Sequence, residues 1–464
     1  MSEVLDLPAI TTVPLGELLT DIRNGLVVEQ EKELPGIPIT RIETISKGTV
    51  DMGRVRYVRD TAGKSLDNFW LKKGDILFSH INSDLHLGKT ALVLSDAPLL
   101  HGMNLLKLRV DSSRLRPKYL HHWLDYCRRT GVFMAIAQHA VNQSSLNQKK
   151  IISLEVPLRS VAEQDEIVTE LEKQFSRLDE AVANLQRVKA NLKRYKVSVL
   201  KAAVEGRLVE TEATLARREG RTYESGEQLL QAALVARRAK WDRRGQYVEP
   251  QATASSNLPR VPDGWVWANV EQLGFVRGGK RLPAGHKYAD GPTPHPYIRV
   301  TDFADYGVNS DALLYLNPET QKEIQRYTIT SDDVYISIAG SIGLVGVLPR
   351  SLSGANLTEN AAKITGLGHI SQKYLMYWLS SGSGIKFISD STIATTQAKL
   401  ALYRIERIPV PVPPLAEQTR IVAEVDRHLS IIREVEAEVD ANLQRAQSLR
   451  QATLAKAIQG EKRD

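Results

Sequence analysis

The chain has 464 residues and only one cysteine, Cys127. That excludes an intrachain disulfide and any zinc cluster built on cysteines. Its place in the apolar helical stretch from Leu120 to Met134 marks it as a core residue. Long hydrophobic runs are missing too. No segment approaches the ~18 apolar residues of a membrane span. The start, Met1-Ser2-Glu3-Val4-Leu5-Asp6, carries acids and lacks the basic segment and apolar run of a signal peptide. The expectation is a cytoplasmic protein with no membrane partner. Catalytic signatures are equally scarce. There is no G-x-x-x-x-G-K-[ST] phosphate loop, and no H-E-x-x-H or Cys-His metal constellation. Gly340, Gly343 and Gly346 recur every third residue, but without the dinucleotide fingerprint, and backbone turns account for them. Ser337 and Ser341 lack the G-x-S-x-G elbow. Pro413-Pro414 precedes Leu415 rather than an aromatic residue, so the Asn/Asp-Pro-Pro-aromatic motif of aminomethyltransferases is absent. His80, His86, His101, His121, His122 and His139 fall in the first half, but adjacent His121 and His122 leave a helix on different faces, which argues against a shared metal. The chain reads as non-catalytic and metal-free.

What is present is ordinary in bulk and unusual in arrangement. A charged fraction of 25% and a hydrophobic fraction of 42% suit a globular protein long enough for several cores. Sixty-one Lys and Arg against 54 Asp and Glu give +7, compatible with a polyanionic partner but insufficient to identify one. The arrangement is a duplication. Val156-Pro157, Ala162-Glu163-Gln164 and Ile167-Val168 return at Val410-Pro411, Ala416-Glu417-Gln418 and Ile421-Val422, always 254 positions later. The same offset relates Ala203-Val204-Glu205-Gly206 to Ala457-Ile458-Gln459-Gly460. A gapless offset over such a length implies two copies of one structural unit.

Each copy has a globular half and a helical half. Residues 1 to about 155 carry buried-strand patterns at Asp75–Ser79, Ala91–Leu94 and Leu105–Leu108, then a helix around Lys118–Leu124, an α+β domain. Ser160 is the expected N-cap of a long helix, with Glu163 completing a capping box. Its apolar positions Val168, Leu171, Phe175, Leu178, Val182, Leu185 and Leu192 form the seam of a coiled coil. The pattern persists to Val204, with Gly206 as terminator. The closing helix repeats it at Val422, Val425, Leu429, Ile432, Val439 and Leu443. Between the copies, charged helices are expected around Thr211–Arg218 and Ser225–Arg244, the second with the stripe Leu229, Leu230, Ala233, Leu234 and Trp241. A polar connector, Pro250 to Asn257, follows. This insertion either packs on the coiled coil or offers a docking surface.

The globular halves repeat less closely than the helices. Arg23-Asn24-Gly25 returns as Arg277-Gly278-Gly279, Arg41 as Arg299, and Lys118-Tyr119-Leu120 as Lys373-Tyr374-Leu375. Gln143 with Leu146 returns as Gln397 with Leu400. The loops diverge: Ser79 to Lys89 and Ser337 to Gly346 have little in common. A shared scaffold with different loops fits two readers of different targets; drift after duplication is the plainer alternative.

The order of variable domain, V-P-L-x-x-x-x-E-Q helix, variable domain and V-P-x-P-P-L-x-E-Q helix resembles the DNA specificity subunit of type I restriction-modification systems. The residues that carry this are Val156-Pro157-Leu158 with Glu163-Gln164, Val410-Pro411-Val412-Pro413-Pro414-Leu415 with Glu417-Gln418, and Leu200 to Gly206. Leu258-Pro259, Pro262, Gly264-Trp265 and Trp267 resemble the proline-tryptophan lead-in to a second target-recognition domain. The first copy departs from the pattern: it has Arg159-Ser160-Val161 where the second has Pro413-Pro414-Leu415, and only Val13-Pro14-Leu15 at its start. The resemblance implies an α+β protein with two target-recognition domains, at 1–155 and 259–407. It implies conserved helices at 156–207 and 408–464, packed as an antiparallel coiled coil about a pseudo-twofold axis, with 208–258 as insertion and linker. It also implies double-stranded DNA, methylation subunits (two) and restriction/translocase subunits as partners. S-adenosylmethionine, ATP and magnesium would sit on those partners, with no cofactor on this chain. A non-catalytic coiled-coil scaffold, another DNA-binding protein with duplicated domains, or a free-standing nuclease or methyltransferase explains fewer of these features.

Base reading needs bidentate side chains: Arg or Lys for guanine, Asn or Gln for adenine. In the first domain the candidates are His80, Asn82, Ser83, His86 and Lys89, with Arg54, Arg56 and Arg59 for phosphates. In the second they are Arg277, Lys280, Arg281, His286, Lys287 and Tyr288, a glycine-rich basic stretch, with Asn356 and Thr358 in a further loop.

Overall fold

A computed structural model describes residues 11–460 except 46–47, 62, 97, 142, 242–245, 254 and 393–397. Gln397 and the Met1–Asp6 start lie outside the described residues, and the insertion helix expected to run to Arg244 ends earlier, at Ala239 with Lys240 as its C-cap. The chain divides into two units, Met1–Gln186 with Val439–Asp464, and Arg187–Glu438. Each long helix contributes residues to both.

In the first unit, β1 (Thr12–Pro14), β2 (Leu19–Asn24), β3 (Ile76–Phe78), β4 (Thr90–Leu92), β5 (Leu106–Val110), α1 (Pro117–Arg129) and β6 (Glu155–Pro157) precede the long helix α2 (Val161–Val204). β3 is buried at every position, as its continuous apolar run dictates, and it sits inside an antiparallel sheet of order β2–β5–β3–β4. β1 pairs with β6, Val13 opposite Val156, which brings the start of the domain to the start of its helix. α1 opens on Pro117, whose missing N–H costs nothing at a first turn, and buries Tyr119, Leu120, Trp123, Leu124 and Cys127. Burial pushes the Cys127 thiol up to about 12, a core cysteine as expected.

The second unit continues with α3 (Glu212–Glu219), α4 (Gly226–Ala239), β7 (Val266–Asn269), β8 (Phe275–Gly278), β9 (Val334–Ser337), β10 (Val345–Val347), β11 (Ala361–Thr365), α5 (Gln372–Ser380), β12 (Pro409–Val412) and α6 (Leu415–Gln459). Its sheet order β8–β11–β9–β10 repeats that of the first, and β7 pairs with β12 as β1 does with β6. The repeat extends to charge. Asp75 binds Arg109 at 2.6 Å, and Asp333 in the matching place binds Lys363 at 3.0 Å. It extends to backbone packing as well. A Cβ on Gly25 would lie 1.7 Å from the Gly102 carbonyl oxygen, and one on Gly279 2.1 Å from that of Thr358. The repeated Arg-x-Gly segment is therefore a site of close backbone approach.

The Ser160–Glu163 capping box forms as expected: the Ser160 N–H donates to Glu163 at 2.9 Å, and the Glu163 N–H donates to Ser160 Oγ at 3.3 Å. Gly206 ends α2 at φ +68°. In the first unit Arg450 of α6 lies over the Phe175 ring of α2 and binds Asp179 at 2.6 Å. In the second, Tyr195 of α2 meets His428 Nδ1 at 2.9 Å. The early part of each helix thus packs with the late part of the other. The expected seam is not uniformly dry. Val168, Leu171, Phe175, Val425, Leu429, Ile432 and Val439 are buried, whereas Leu178, Val182, Leu185, Leu192, Val422 and Leu443 are half-buried. The buried group shares its cores with the globular domains, Val168 to Phe175 with Trp123 and Cys127, and Val425 to Ile432 with Tyr374 and Trp378. A two-helix seam alone is too narrow to dry its own flanks.

The insertion packs on its neighbours in the second unit. Leu229 and Leu230 of α4 join the core around Trp265 and Val412. Arg237, only 4% exposed, donates to the Gly274 carbonyl at 2.6 Å and covers the Phe275 ring. The apolar stripe of α4 is therefore spent on the second domain's own core.

Candidate nucleic-acid interface

Both divergent loops leave their sheets through the same neck. After β3, the Ser79 N–H donates to the Lys89 carbonyl and the Gly88 N–H to the Ser79 carbonyl, each at 2.8 Å. After β9, the Ser337 N–H donates to the Leu344 carbonyl at 2.9 Å and the Gly343 N–H to the Ser337 carbonyl at 3.0 Å. One residue on, the carbonyls of His80 and Ile338 accept from the backbone N–H groups of Leu146 (2.8 Å) and Leu400 (3.0 Å). The buried side chains of those two leucines join the core of each domain, which is what a repeated leucine supplies. Beyond the neck the loops part. The first presents Ser83, Asp84 and Leu85 to solvent, with Leu87 buried as an anchor. The second turns on Gly340 and Gly343, both at positive φ.

The first-domain candidates divide by environment. His80 is 8% exposed, and burial holds its imidazole down at about 4, so it is a neutral part of the frame and not a charged reader. Asn82 donates to Ser79 Oγ at 3.0 Å and accepts from the Ser83 N–H at 2.9 Å, which occupies its amide within the loop. Ser83 is exposed; His86 and Lys89 are half-buried, and burial with the nearby Arg128 lowers the Lys89 ammonium. Arg54 lies 3.5 Å from Asp51, and Arg59 binds Glu31 at 2.8 Å. Arg56, in the strand Arg56–Val58, has no acidic partner among the described residues.

In the second domain, Lys280, Arg281 and Lys287 are exposed cations. Arg281 lies 3.5 Å from Glu359, and the Lys280 carbonyl accepts from the Tyr297 hydroxyl at 2.8 Å, fixing the turn that presents both. Arg277 is half-buried in β8 beside the Phe275 ring. His286 sits 2.8 Å from Thr320 Oγ1 and 3.3 Å from Glu323, and Tyr288 packs on Tyr297. Asn356 corrects the expectation of a loop reader. It lies in the strand Ala355–Leu357, is 1% exposed, and donates its amide to the Ile324 carbonyl at 2.8 Å. Thr358, 5% exposed, follows the same strand and hydrogen-bonds Glu359 at 3.0 Å. Both are structural because the strand that carries them is central to its sheet. Arg299 is also frame: it clasps Asp302 at 2.7 Å and the Ala312 carbonyl at 3.0 Å.

The residues that key each domain to its helix went unassigned in the sequence, although their repetition marked them. Gln164 is fully buried, accepts from the Arg116 N–H at 2.7 Å and donates to the Arg114 and Arg159 carbonyls at 2.9 Å. Gln418, equally buried, accepts from the Ser371 N–H at 2.8 Å and donates to the Pro413 carbonyl at 2.9 Å. Arg116 and Ser371 are the caps that start α1 and α5. One glutamine per copy therefore ties two helix N-termini together. The tyrosine one turn on adds a second tie, Tyr119 to the Pro157 carbonyl (2.8 Å) and Tyr374 to that of Pro411 (2.7 Å). Lys118–Glu172 and Lys373–Asp426, both 2.7 Å, add a third.

The chain can be set beside known proteins on these features. The profile of the type I restriction modification DNA specificity domain matches residues 262–444. A putative type I restriction enzyme specificity subunit of Methanocaldococcus jannaschii, MjaX, is 28% identical over 88% of this chain and 84% of its own. The EcoBI specificity subunit of Escherichia coli is 23% identical over 96% and 84%. A chain from a solved type I R-M system, studied for complex assembly and conformational transition, shares the fold with a TM-score of 0.67 at 18% identity, covering 98% of both chains. The HsdS subunit of Thermoanaerobacter tengcongensis gives 0.51 at 17% identity, over 99% of both.

Proposed function

The chain belongs to the family of type I restriction-modification DNA specificity subunits, and from that premise we propose that it reads a bipartite, asymmetric DNA site without performing chemistry. One observation carries the reading. The two domains share a sheet order, a loop neck and a three-part tie to their helices, yet differ at the loop tips. A frame repeated in both domains places tips that differ between them, as two readers of unlike half-sites require. The exposed cations Lys280, Arg281 and Lys287, with Arg56 in the first domain, supply phosphate contacts that position without specifying.

The helices set the distance between half-sites. Forty-four residues of α2 make a rod of about 66 Å, on the order of two turns of B-DNA at about 34 Å each. The DNA between half-sites then goes unread. Two methylation subunits dock along the repeated helices, carry S-adenosylmethionine and flip the target base. Restriction subunits supply ATP- and magnesium-dependent translocation and cleavage, and the assembly works in the cytoplasm.

The test is a gel shift of the chain assembled with its methylation subunits, on duplexes carrying the methylated motif mapped in the source genome. Tight binding of that motif and weak binding of a scrambled one is the expected result. Sequence-independent or absent binding overturns the proposal, and nuclease activity from the purified chain alone would replace it with an enzyme.

A further inference from the structure

The reading loop of the first domain does not stand alone. Ile81–Asn82 pairs with Gln143–Ser145, which pairs in turn with Gln138–Ala140. A hairpin therefore extends the loop into a three-stranded sheet. Every residue of Gln138–Ala140 is exposed, and Val141 at the turn is 92% exposed.

The two faces of the hairpin are chemically different. Side chains alternate along a strand, and directly opposed residues share a face. Ser144 stands opposite His139 and Asn82, and these occupy the bracing face. Ser144, 1% exposed, donates to the Asp84 carboxylate and lies 2.8 Å from His139 Nδ1. Asp84 belongs to the reading loop, so this network locks hairpin and loop together. Lys150 secures the base of the hairpin by donating to the Ile136 carbonyl at 2.6 Å. The opposite face carries Gln138, Ala140, Gln143 and Ser145. Gln138 and Gln143 are exposed, and their amides have no hydrogen-bond partner among the described residues. The segment from Gln138 to Ser145 contains no acid.

We propose that this hairpin enters the DNA major groove and that Gln138 and Gln143 read adenines in the half-site of the first domain. The inference rests on the DNA-reading function proposed above. A two-stranded ribbon fits the major groove, and a free glutamine amide pairs bidentately with the N6 and N7 edge of adenine. Asn82 is less suited to this, because one amide N–H and one carbonyl lone pair are already engaged inside the loop. Val141 and Ala140 offer the apolar contact that suits a thymine methyl. Gln138 and Gln143 lie diagonally across two paired strands of this face, a separation of about 7–8 Å, on the order of two of the ~3.4 Å steps between bases along one strand. The face therefore reaches base pairs about two steps apart in an A·T-containing half-site.

The experiment compares wild-type, Gln138→Ala, Gln143→Ala and Val141→Asp chains, each assembled with the methylation subunits. Motif mapping and competition gel shifts on single-base variants of the motif are the readouts. Each glutamine variant is expected to lose tenfold or more of its preference at one A·T position of one half-site and to leave the other half-site intact. Val141→Asp, at an exposed turn where folding is insensitive, is expected to weaken binding of that half-site. Unaltered motif and affinity in both glutamine variants would overturn the proposal, as would changes confined to the second domain's half-site. A wild-type assembly without sequence preference would overturn the functional reading itself, and this inference with it.

Discussion

Trp265 donates its indole N–H to a carboxylate oxygen of Glu417 at 2.9 Å, inside the core of the second unit. The other carboxylate oxygen accepts the Glu212 N–H at 2.8 Å, so the buried acid fastens both the lead-in tryptophan and the insertion to the start of α6. Burial pushes the Glu417 carboxyl up. Glu212 is held down despite its burial by Arg221 and Arg420, at 2.6 and 2.7 Å. In the first copy Glu163 has neither a tryptophan nor an insertion to hold, and it caps its own helix instead.

Glu417→Ala is therefore expected to destabilise the second unit by about 1–3 kcal/mol, the cost of leaving buried donors unpaired. Glu163→Ala, on an exposed cap, should change stability much less. Urea unfolding followed by tryptophan fluorescence separates the two; equal midpoint shifts would contradict the assignment.

Gln164→Ala and Gln418→Ala each remove a fully buried side chain and leave a half-buried backbone N–H, of Arg116 and Ser371 respectively, without its acceptor. Each is expected to cost about 1–3 kcal/mol. Hydrogen exchange should quicken at residues 114–118 in the first variant and 371–375 in the second, with the other copy unaffected. Protection that stays unchanged would remove the glutamines from the tie.

Acid is expected to weaken the first unit. Burial holds His80 and His122 down at about 4 and His101 at about 3. Their folded values lie below the unfolded value of ~6.5, so the unfolded chain binds protons more readily there. The stability is fully present above pH 6.5 and is lost as pH falls toward 4. Hydrogen exchange of peptides from residues 76–124 should rise between pH 7 and 5 beyond the intrinsic change in exchange rate. His122→Phe, beside the Phe175 ring, should reduce that rise; a pH-independent protection would contradict it.

Much of this frame was legible in one dimension, because periodicity and caps act locally. The Ser160–Glu163 box, the Gly206 stop, the buried strand through Leu77 and the charge character of α3 and α4 all follow from neighbours within a turn or two. What escaped was decided by partners far along the chain. Glu163 and Glu417 are the same letter in the same motif, and only Trp265 and Glu212 make one a cap and the other a buried clasp. Asn356 has the chemistry of an adenine reader, but its strand lies inside a sheet assembled from distant segments. Asn82 and Gln143 look interchangeable as amides until the bracing of the loop shows which one is occupied.

The helices can be tested as a spacer. Removing Phe175 to Ala181 and Leu429 to Val435 takes one heptad from each helix and preserves the seam. Seven residues are about 10 Å of rod, so the spacer of the methylated motif is expected to shorten by about 3 base pairs with both half-sites unchanged. An unaltered spacer in single-molecule sequencing would count against the helices as its determinant.

The most direct measurement replaces residues 1–155 with the corresponding domain of a homologue of different specificity, keeping the Gln164 and Tyr119 ties. The methylated motif is then mapped in cells that also carry the methylation subunits. The account predicts that one half-site changes to the homologue's while the second half-site and the spacer stay as they were. A motif in which both half-sites change, or neither does, would contradict two independent readers on a shared frame.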